Sequence, residues 1–537
     1  MKTMNLKLIT VITYFFLPLV VMKSEVKIVP YPQEIIEYGY HIKLPSEINL
    51  QTDKLFTNEL GLFEKIVQEE FRFVLKDNPK ASFSLRMVKD TSCCSEGYKI
   101  KIDSHDICLS AASNTGMFYA LQSLRQLARK DKSESLTFPA LEIADYPYFS
   151  WRGFMLDDAR AFKGVEIVKN LLDEMSLMKM NVFQWHLTED QGWRIEIKKY
   201  PLLTEIGGRR DSTQLDWYEN DRYDGTPLEG FYTQQQIKEI VEYAADRHIT
   251  IVPEIEMPGH CSSAIASYPW LGCSGKQIRV PCDFGVMYDV FNVADTRVIQ
   301  FLEDVLDEIS TLFPSGIIHI GGDEVRYDQW NASAQIQEYM KQKKISSCAA
   351  LQVDFTNDMA RRIERKGKRM MGWNDITGDK LHHYQQGDVE VKMDPLSDKA
   401  LIQFWLGDDN LIQKAARRGH DIVNSFHEYT YLNYNHDRIT PGKEYSFAPI
   451  PLQKAYSFSP IPKSLPESLQ HRILGLSCQM WGEWIPSVKQ MNKMIYPYWA
   501  AHAETGWLKP EKKDYDRFLN SMDYLTQRWI KKGYYIE

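Results

Sequence analysis

The chain has 537 residues, of which 44% are hydrophobic and 25% are charged, and its formal net charge is −8 at pH 7. This length exceeds one average domain and can bury a large core. Nothing in the mildly acidic composition indicates a basic nucleic-acid-binding surface. Aromatic residues make up 12% of the chain, which suits either a packed core or a cleft that stacks against sugar rings.

The N-terminus has the pattern of a signal peptide. Lys2 and Lys7 precede an apolar run from Leu8 to Met22, and polar residues follow. The run is short for a membrane-spanning helix and contains Pro18. We therefore predict a signal peptide over residues 1–23 and an exported protein, in a periplasmic, secreted or lysosome-like compartment, with the periplasm favoured for a bacterial chain. A retained N-terminal anchor is the alternative.

The cysteines allow disulfides but do not indicate a metal site. The eight cysteines match no zinc-ligand spacing, and export permits disulfide bonds. Cys273 and Cys282 flank a short loop and form the best candidate pair. Cys93 or Cys94 is a further candidate partner for Cys108.

Residues 24–146 are predicted to form a small, non-catalytic α+β domain. Apolar spacing predicts helices over Leu55–Leu75 and Asn114–Ala128. Strands are expected at Ser82–Val88, Tyr98–Ile102 and Ile107–Leu109. Strands with helices packed on one face form an α+β layer.

From residue 147 to residue 537, the pattern becomes strand, loop and helix, repeated. Eight strands are predicted: Gly153–Leu156, Asn181–His186, Thr250–Pro253, Ile317–Ile320, Arg369–Gly372, Ala400–Phe404, Asp421–Ser425 and Ile473–Cys478. The predicted helices include Glu166–Met180, Gln234–His248, Thr296–Leu312 and Leu351–Lys366, with a last helix over Tyr515–Lys531. Eight such units predict an α/β fold, a (β/α)8 TIM barrel with a C-terminal helix. A doubly wound open sheet is the structural alternative, but no G-x-G-x-x-G motif follows a strand.

Acids and aromatics recur where the predicted strands end. The sequences at these ends are LDDAR, WHLTEDQGWR, PEIEMPGH, GGDE, GWND, QFWLGDD, HEYTYLNY and CQMWGEW. Each acid, histidine or tryptophan taken singly is more often structural than functional. The carboxyl ends of barrel strands meet at one face, however, which is where barrel enzymes perform chemistry. Their recurrence therefore predicts a catalytic mouth.

The adjacent acids Asp323 and Glu324 limit the chemistry that this mouth can perform. The sequence has no H-E-x-x-H metal motif and no G-x-S-x-G nucleophile elbow, so we predict neither a metal nor another cofactor. Glycoside hydrolysis needs a proton donor and a group that stabilises or captures the cationic centre. Consecutive carboxylates do not flank one bond symmetrically. One acid can instead protonate the leaving group while the other holds a 2-acetamido group that attacks the sugar carbon.

These residues resemble glycoside hydrolase family 20, the β-N-acetylhexosaminidases. The resemblance runs from about Ile28 to the C-terminus and is carried by RGFMLDDAR, QWHLTEDQGWR, PEIEMPGH, HIGGDEV and QMWGEW. It implies an exo-acting, retaining enzyme that releases terminal β-linked GlcNAc or GalNAc from a glycan or glycoconjugate through an oxazolinium intermediate. It implies neither a nucleic-acid partner nor a membrane span in the mature protein.

The resemblance also implies roles for individual residues. Glu324 would act as general acid and then as base, and Asp323 would hold the acetamido N–H. The remaining predicted substrate contacts are Arg160, Asp190, His260, Trp373, Trp405, Tyr431, Asn433, Trp481 and Glu483. His186 is predicted to support the site, and His260 to tune the acid.

One position departs from the family pattern, which reads Tyr-Leu-Asp where this chain has Tyr431-Leu432-Asn433. Loss of the charge-assisted hydrogen bond leaves the preference at the sugar O4 and O6 open, and 6-sulfo-GlcNAc or lacto-N-biose units are alternatives. A barrel glycosidase with Glu256 or Glu483 as nucleophile, and a sugar-binding barrel without turnover, are the other readings.

Overall fold

The computed structural model describes residues 26–216, 218, 221–385, 395–435 and 448–534. The predicted signal peptide lies outside these ranges. A hydrophobic core lies under the N-terminal sheet, and a larger one surrounds the barrel. Within the described ranges, no helix is both long enough and apolar enough to cross a membrane.

The N-terminal domain is an eight-stranded mixed sheet with helices against it. Its strands are Glu34–Lys43, Glu47–Thr52, Lys76–Asp77, Ser84–Lys89, Tyr98–Ile102, Asp106–Ala111, Arg129–Lys130 and Leu136–Asp145. Its helices are Thr57–Glu69 and Asn114–Leu127. Tyr98–Ile102 alternates buried and exposed residues, as expected of a sheet with one covered face. The α+β prediction is confirmed.

The second part is a closed barrel of eight parallel strands. In chain order, barrel strands one to eight are Trp151–Asp157, Val182–His186, Thr250–Glu254, Ile317–His319, Arg369–Trp373, Leu401–Phe404, Ile422–Asn424 and Ile473–Met480. Strand eight pairs with strand one and closes the barrel. All eight predicted strands are present, and the (β/α)8 prediction is confirmed.

Helices cover the outside of the barrel. The longer ones are Val165–Leu177, Gln234–Ala245, Thr296–Leu312, Ala334–Lys343, Cys348–Arg365, Asp409–Arg417, Val488–Ile495 and Tyr498–Trp507. The tail, predicted as one helix, forms Tyr515–Ser521 and Asp523–Lys531, with an interruption at Met522. Its apolar side nevertheless packs on the barrel, where Phe518, Leu525 and Trp529 are fully buried.

A buried charge pair joins the two parts of the chain. Lys179 Nζ lies 3.2 Å from Asp145 Oδ2, and both side chains are fully buried. The indole N–H of Trp507 donates to the other oxygen of Asp145 at 2.9 Å, and Tyr98 contacts the same carboxylate. An unpaired charge is costly to bury, so these bonds fix how the sheet sits on the barrel.

The disulfide prediction is wrong in this structure, because all eight cysteines are free thiols. Cys273 Sγ lies 3.7 Å from the Phe291 carbonyl oxygen. The backbone carbonyl of Cys282 instead accepts the Gln214 N–H at 2.9 Å. The flanking loop therefore does not bring the two predicted partners together. Proximity in sequence does not guarantee the short Cβ–Cβ separation that a disulfide needs.

Candidate active site

The barrel register places the chemically active strand ends at one level. His186 pairs in register with Asp157 on one side and Glu254 on the other, and Glu254 pairs with His319. All four side chains are buried. The loops that follow these strands therefore converge on one mouth, as the recurrence of acids predicted.

The chain turns sharply after strand four. Gly321 and Gly322 have φ angles of +63° and +85°, which favour glycine. A Cβ on Gly321 would lie 1.7 Å from Glu256 Oε2, so this carboxyl of the neighbouring strand end packs directly against the glycine backbone. Glu324 also has a positive φ, +52°. A non-glycine residue in this region stores roughly 1–3 kcal/mol of strain, which its surroundings must hold in place.

The two adjacent acids differ in environment. The Asp323 side chain is 12% exposed and that of Glu324 is 27% exposed. Burial raises the pKa of Asp323 to about 7; Asp375 and Glu324 add to this rise, while His260 opposes it. Asp323 Oδ1 is buried and accepts no hydrogen bond from the described residues. It is thus available as an acceptor for a substrate N–H, and the more open Glu324 can reach a leaving group.

His260 links the acid pair to a buried carboxylate pair. Its Nε2 lies 3.5 Å from Glu324 Oε2 and 3.8 Å from Asp323 Oδ2. Its Nδ1 lies 3.1 Å from Asp190 Oδ2 and 3.2 Å from Glu189 Oε2. Burial opposes the imidazolium, but Glu189 and the hydrogen bonds to these carboxylates raise the pKa of His260 well above its ordinary value. A positive charge therefore faces Asp323 and Glu324.

Asp190, predicted as a substrate contact, has a structural position instead. Its Oδ1 accepts hydrogen bonds from the Ser262 backbone N–H at 2.9 Å and from the Ser262 hydroxyl at 2.6 Å. The side chain is fully buried. In this arrangement Asp190 orients His260.

Arg160 is surrounded by carboxylates and shares one of them, Glu189, with His260. Its guanidinium lies 2.7 Å from Glu189 Oε1, 3.2 Å from Asp157 Oδ2 and 3.6 Å from Glu483 Oε1. It also lies over the Trp481 ring, 5.2 Å from the centroid. Burial raises the pKa of Glu483, and its Oε2 has no hydrogen-bond partner among the described residues. Both side chains have polar capacity for sugar hydroxyls on the same wall.

The four predicted aromatic residues form one cluster. Trp405 stacks on Tyr431, with ring centroids 6.0 Å apart and an interplanar angle of 7°. Trp481 lies 5.8 Å from Trp373 and 6.0 Å from Tyr431. Flat apolar faces of this kind suit the C–H faces of a sugar ring and the methyl of an acetamido group.

His186 lies beneath this aromatic wall. Its Nδ1 lies 2.9 Å from Glu254 Oε2, and Glu254 Oε1 accepts the indole N–H of Trp373 at 2.8 Å. Burial opposes protonation, but Glu254 and Glu189 raise the pKa of His186 to about 10. The carboxylate of this buried pair holds the indole of Trp373, so His186 contacts the aromatic wall through Glu254.

Asn433 lies in the short helical turn Leu432–Tyr434, next to Tyr431. Its Oδ1 is buried and accepts no hydrogen bond within the described ranges. The amide oxygen is thus available as a hydrogen-bond acceptor.

Sequence reasoning missed Asp375 and His382. Asp375 Oδ1 accepts the backbone N–H of Glu324 at 3.2 Å and lies 2.8 Å from His382 Nε2, while its Oδ2 accepts the indole N–H of Trp405 at 2.9 Å. Asp375 ends the motif GWND, so its position after strand five was a usable signal. No comparable sequence pattern pointed to His382.

Among the residues that the structure describes, three groups bring possible metal-ligand atoms within 4.8 Å of one another: His186, Glu254 and Glu256; Glu189, Asp190 and His260; and His260, Asp323 and Glu324. In the first two groups, carboxylate–histidine and carboxylate–arginine pairs already use most of these atoms. The third contains the adjacent acids themselves.

Comparison with known proteins agrees with this geometry. The profile described as "Glycosyl hydrolase family 20, catalytic domain" matches residues 149–510, and "Glycosyl hydrolase family 20, domain 2" matches residues 25–146. A "Beta-hexosaminidase" of Porphyromonas gingivalis is 36% identical over 447 residues, covering 82% of this chain and 54% of that protein. The chain thus spans about half the length of that relative.

Two solved structures are similar over nearly the whole chain. An exo beta-N-acetylglucosaminidase from Vibrio harveyi, solved with N-acetylglucosamine, has a TM-score of 0.80 and 30% identity, covering 94% of this chain and 77% of that one. A beta-N-acetylhexosaminidase from Bacteroides fragilis has a TM-score of 0.77 and 31% identity, covering 96% and 97%. On the family matches, which together cover most of its length, this chain belongs to glycosyl hydrolase family 20.

Proposed function

We propose that the protein is an exported, exo-acting β-N-acetylhexosaminidase that works with retention through the substrate's own acetamido group. The observation that carries the proposal is the adjacent pair at the barrel mouth, where Asp323 has an unsatisfied buried oxygen and Glu324 is the more exposed acid. The names of the relatives support it.

In the proposed mechanism, a terminal 2-acetamido sugar lies against Trp373, Trp405 and Trp481, and Asp323 accepts its acetamido N–H. The acetamido oxygen attacks C1 while Glu324 gives its proton to the leaving oxygen. Ionised Asp323 then stabilises the positive oxazolinium. Glu324 next removes a proton from water, which attacks C1 from the face that the leaving group left, so the configuration is retained.

An enzyme carboxylate as nucleophile is the second candidate, and the electrostatics disfavour it. Burial, with Asp323 and Glu254 nearby, raises the pKa of Glu256 well above its ordinary value, and burial also raises the pKa of Glu483. A raised pKa disfavours the ionised carboxylate that a nucleophile needs. The third candidate, a sugar-binding barrel without catalysis, would hydrolyse no glycoside.

A panel of 4-nitrophenyl glycosides tests the proposal. We expect hydrolysis of the β-GlcNAc and β-GalNAc glycosides and no hydrolysis of β-glucoside, which lacks the internal nucleophile. A thiazoline that mimics the oxazolinium should inhibit competitively. Hydrolysis without thiazoline inhibition would favour the second candidate, and no hydrolysis of any glycoside would favour the third candidate.

The Glu324→Gln variant tests the proton donor. Because general acid catalysis contributes roughly 10²–10⁴-fold, kcat on a phenyl glycoside should fall by that range. Unchanged kcat would remove Glu324 from its assigned role.

The preference at O4 and O6 is a finer part of the proposal. The side-chain amide of Asn433 is uncharged, and its buried oxygen has no hydrogen-bond partner among the described residues. An amide can donate to a sulfate or accept from a hydroxyl. Comparison of kcat/KM on GlcNAc, GalNAc and 6-sulfo-GlcNAc aryl glycosides tests this, and a strict preference for unsubstituted GlcNAc would contradict it.

A further inference from the structure

The backbone of Glu324 is held by a carboxylate from a different loop. Glu324 has a φ of +52°, and its N–H donates to Asp375 Oδ1 at 3.2 Å. A strained residue keeps such a conformation when its surroundings over-determine it. The position of the acid therefore depends on the position of the Asp375 carboxylate.

The same carboxylate also fixes a wall of the sugar pocket. Asp375 Oδ2 accepts the indole N–H of Trp405 at 2.9 Å, and Trp405 stacks on Tyr431. One carboxylate thus sets the relative position of the acid and the aromatic wall. A rotation of Asp375 would move both.

His382 is the group that holds Asp375. Its Nε2 lies 2.8 Å from Asp375 Oδ1, and 8% of the residue is exposed. Burial opposes the imidazolium, but the hydrogen bond to Asp375 and the nearby Asp375, Glu324 and Asp323 carboxylates raise the pKa of His382. A cationic donor beside a carboxylate makes a short, strong hydrogen bond.

Stacking fixes the ring of His382 in turn. The ring is parallel to that of Tyr384, with centroids 5.1 Å apart and an interplanar angle of 6°, and lies 5.9 Å from Trp405. Tyr384 lies over the guanidinium of Arg326, which follows Glu324 by two residues. Segment 381–385 is therefore attached to the acid loop both through Asp375 and through Arg326.

We propose that His382 is a positioning residue for the acid step: by holding Asp375 through its Nε2, it orients Glu324 toward the leaving oxygen. This inference rests on the proposed function. His382 itself touches no reacting atom. It should matter most where the leaving group needs a proton, because a small displacement of the donor slows transfer by orders of magnitude.

Leaving-group dependence tests this proposal. Wild-type protein is first assayed on 2,4-dinitrophenyl and phenyl β-N-acetylglucosaminides. If the wild type hydrolyses neither substrate, the proposed function itself is refuted. If it hydrolyses both, the variants test this inference separately. For His382→Ala, we expect kcat/KM on the phenyl substrate to fall by roughly 10²-fold. On the dinitrophenyl substrate we expect a fall of less than about tenfold, because dinitrophenolate leaves without being protonated.

Two further variants separate positioning from general damage. His382→Gln retains an N–H at a similar reach and should recover much of the loss on the phenyl substrate. His420→Gln replaces another buried histidine, whose Nδ1 lies 3.1 Å from the Ala400 carbonyl at the other end of the barrel, and should leave the ratio of the two substrates unchanged.

Three outcomes would overturn the inference. They are no loss in His382→Ala, an equal loss on both substrates, and a His382→Gln variant no better than the alanine variant. A selective loss in His382→Ala with recovery in His382→Gln would support it.

Discussion

The close packing of Gly321 against Glu256 predicts that a single methyl group will disturb the acid pair. In Gly321→Ala, the added Cβ would lie 1.7 Å from Glu256 Oε2 and 2.0 Å from its Cδ, both far inside van der Waals contact. The side chain of Glu256 is buried, and its Oε2 accepts the Gly322 N–H at 3.4 Å. The carboxyl must therefore move, and Asp323 follows two residues after the new methyl group.

The destabilisation has two parts. A left-handed φ of +63° with a Cβ costs roughly 1–2 kcal/mol. Overpacking of a buried site adds roughly 1–3 kcal/mol. The total loss should be about 2–5 kcal/mol, and displacement of the acids should lower kcat/KM by roughly 100-fold.

Gly367→Ala is the matched control. Gly367 has a φ of +74°, and a Cβ there would meet nothing within 4 Å. It should therefore lose roughly 1–2 kcal/mol of stability from the backbone term and keep wild-type kcat/KM. Urea unfolding and hydrolysis of 4-nitrophenyl β-GlcNAc measure the two effects. Equal stability losses in the two variants, with activity retained in both, would refute the packing argument.

Two other substitutions test the electrostatics of the mouth. Burial raises the pKa of Asp323 in the folded protein to about 7, well above the ordinary pKa of an aspartate. Ionisation therefore destabilises the folded state increasingly from about pH 4 to pH 7. Asp323→Asn should thus unfold at a higher temperature than wild type at pH 8, and the difference in unfolding temperature should vanish near pH 4. The variant should also lose the activity that wild type gains as pH rises through about 7. Equal unfolding midpoints of the two proteins at pH 8 would contradict this reasoning. Arg160→Gln leaves Asp157, Glu189 and Glu483 without their shared cation, so we expect a loss of roughly 3–5 kcal/mol and a higher KM. Arg209→Gln is the control, because the Arg209 side chain is 49% exposed and its ion pair with Asp211 is on the surface; it should lose less than about 1 kcal/mol. Similar losses in the two variants, measured by thermal unfolding, would show that the Arg160 cluster is not stabilising.

Much of the fold followed from local sequence patterns. Short apolar runs between helical stretches identified all eight barrel strands, because a strand buried on both faces needs a continuous apolar run. Thr296–Leu312 was predicted with the observed bounds, since its apolar residues recur at the helical period. The structure adds the reason for its start: the Asp295 side chain accepts the Arg297 N–H and caps the first turn. The acids Asp323 and Glu324 were visible for the same reason, as polar residues directly after such a strand.

Contacts between distant loops could not be predicted in the same way. His382 reaches Asp375 from a loop without regular structure, and its role depends on an orientation that no period encodes. Cys273 and Cys282 failed as a pair because nine residues of separation do not fix where two side chains point. Asp190 was expected to contact substrate, but the fold buries it against Ser262 and His260.

The sequence by itself determined the barrel, the small domain before it and the adjacency of Asp323 and Glu324. The spacing of apolar residues and the order of residues along the chain are local properties, and both can be read directly from the sequence. The tertiary structure decided what surrounds that pair: the cation of His260, the buried Glu256 against Gly321 and the Asp375–His382 contact at the Glu324 backbone. Protonation and orientation depend on burial and on charges brought from far along the chain, which become defined when the barrel closes.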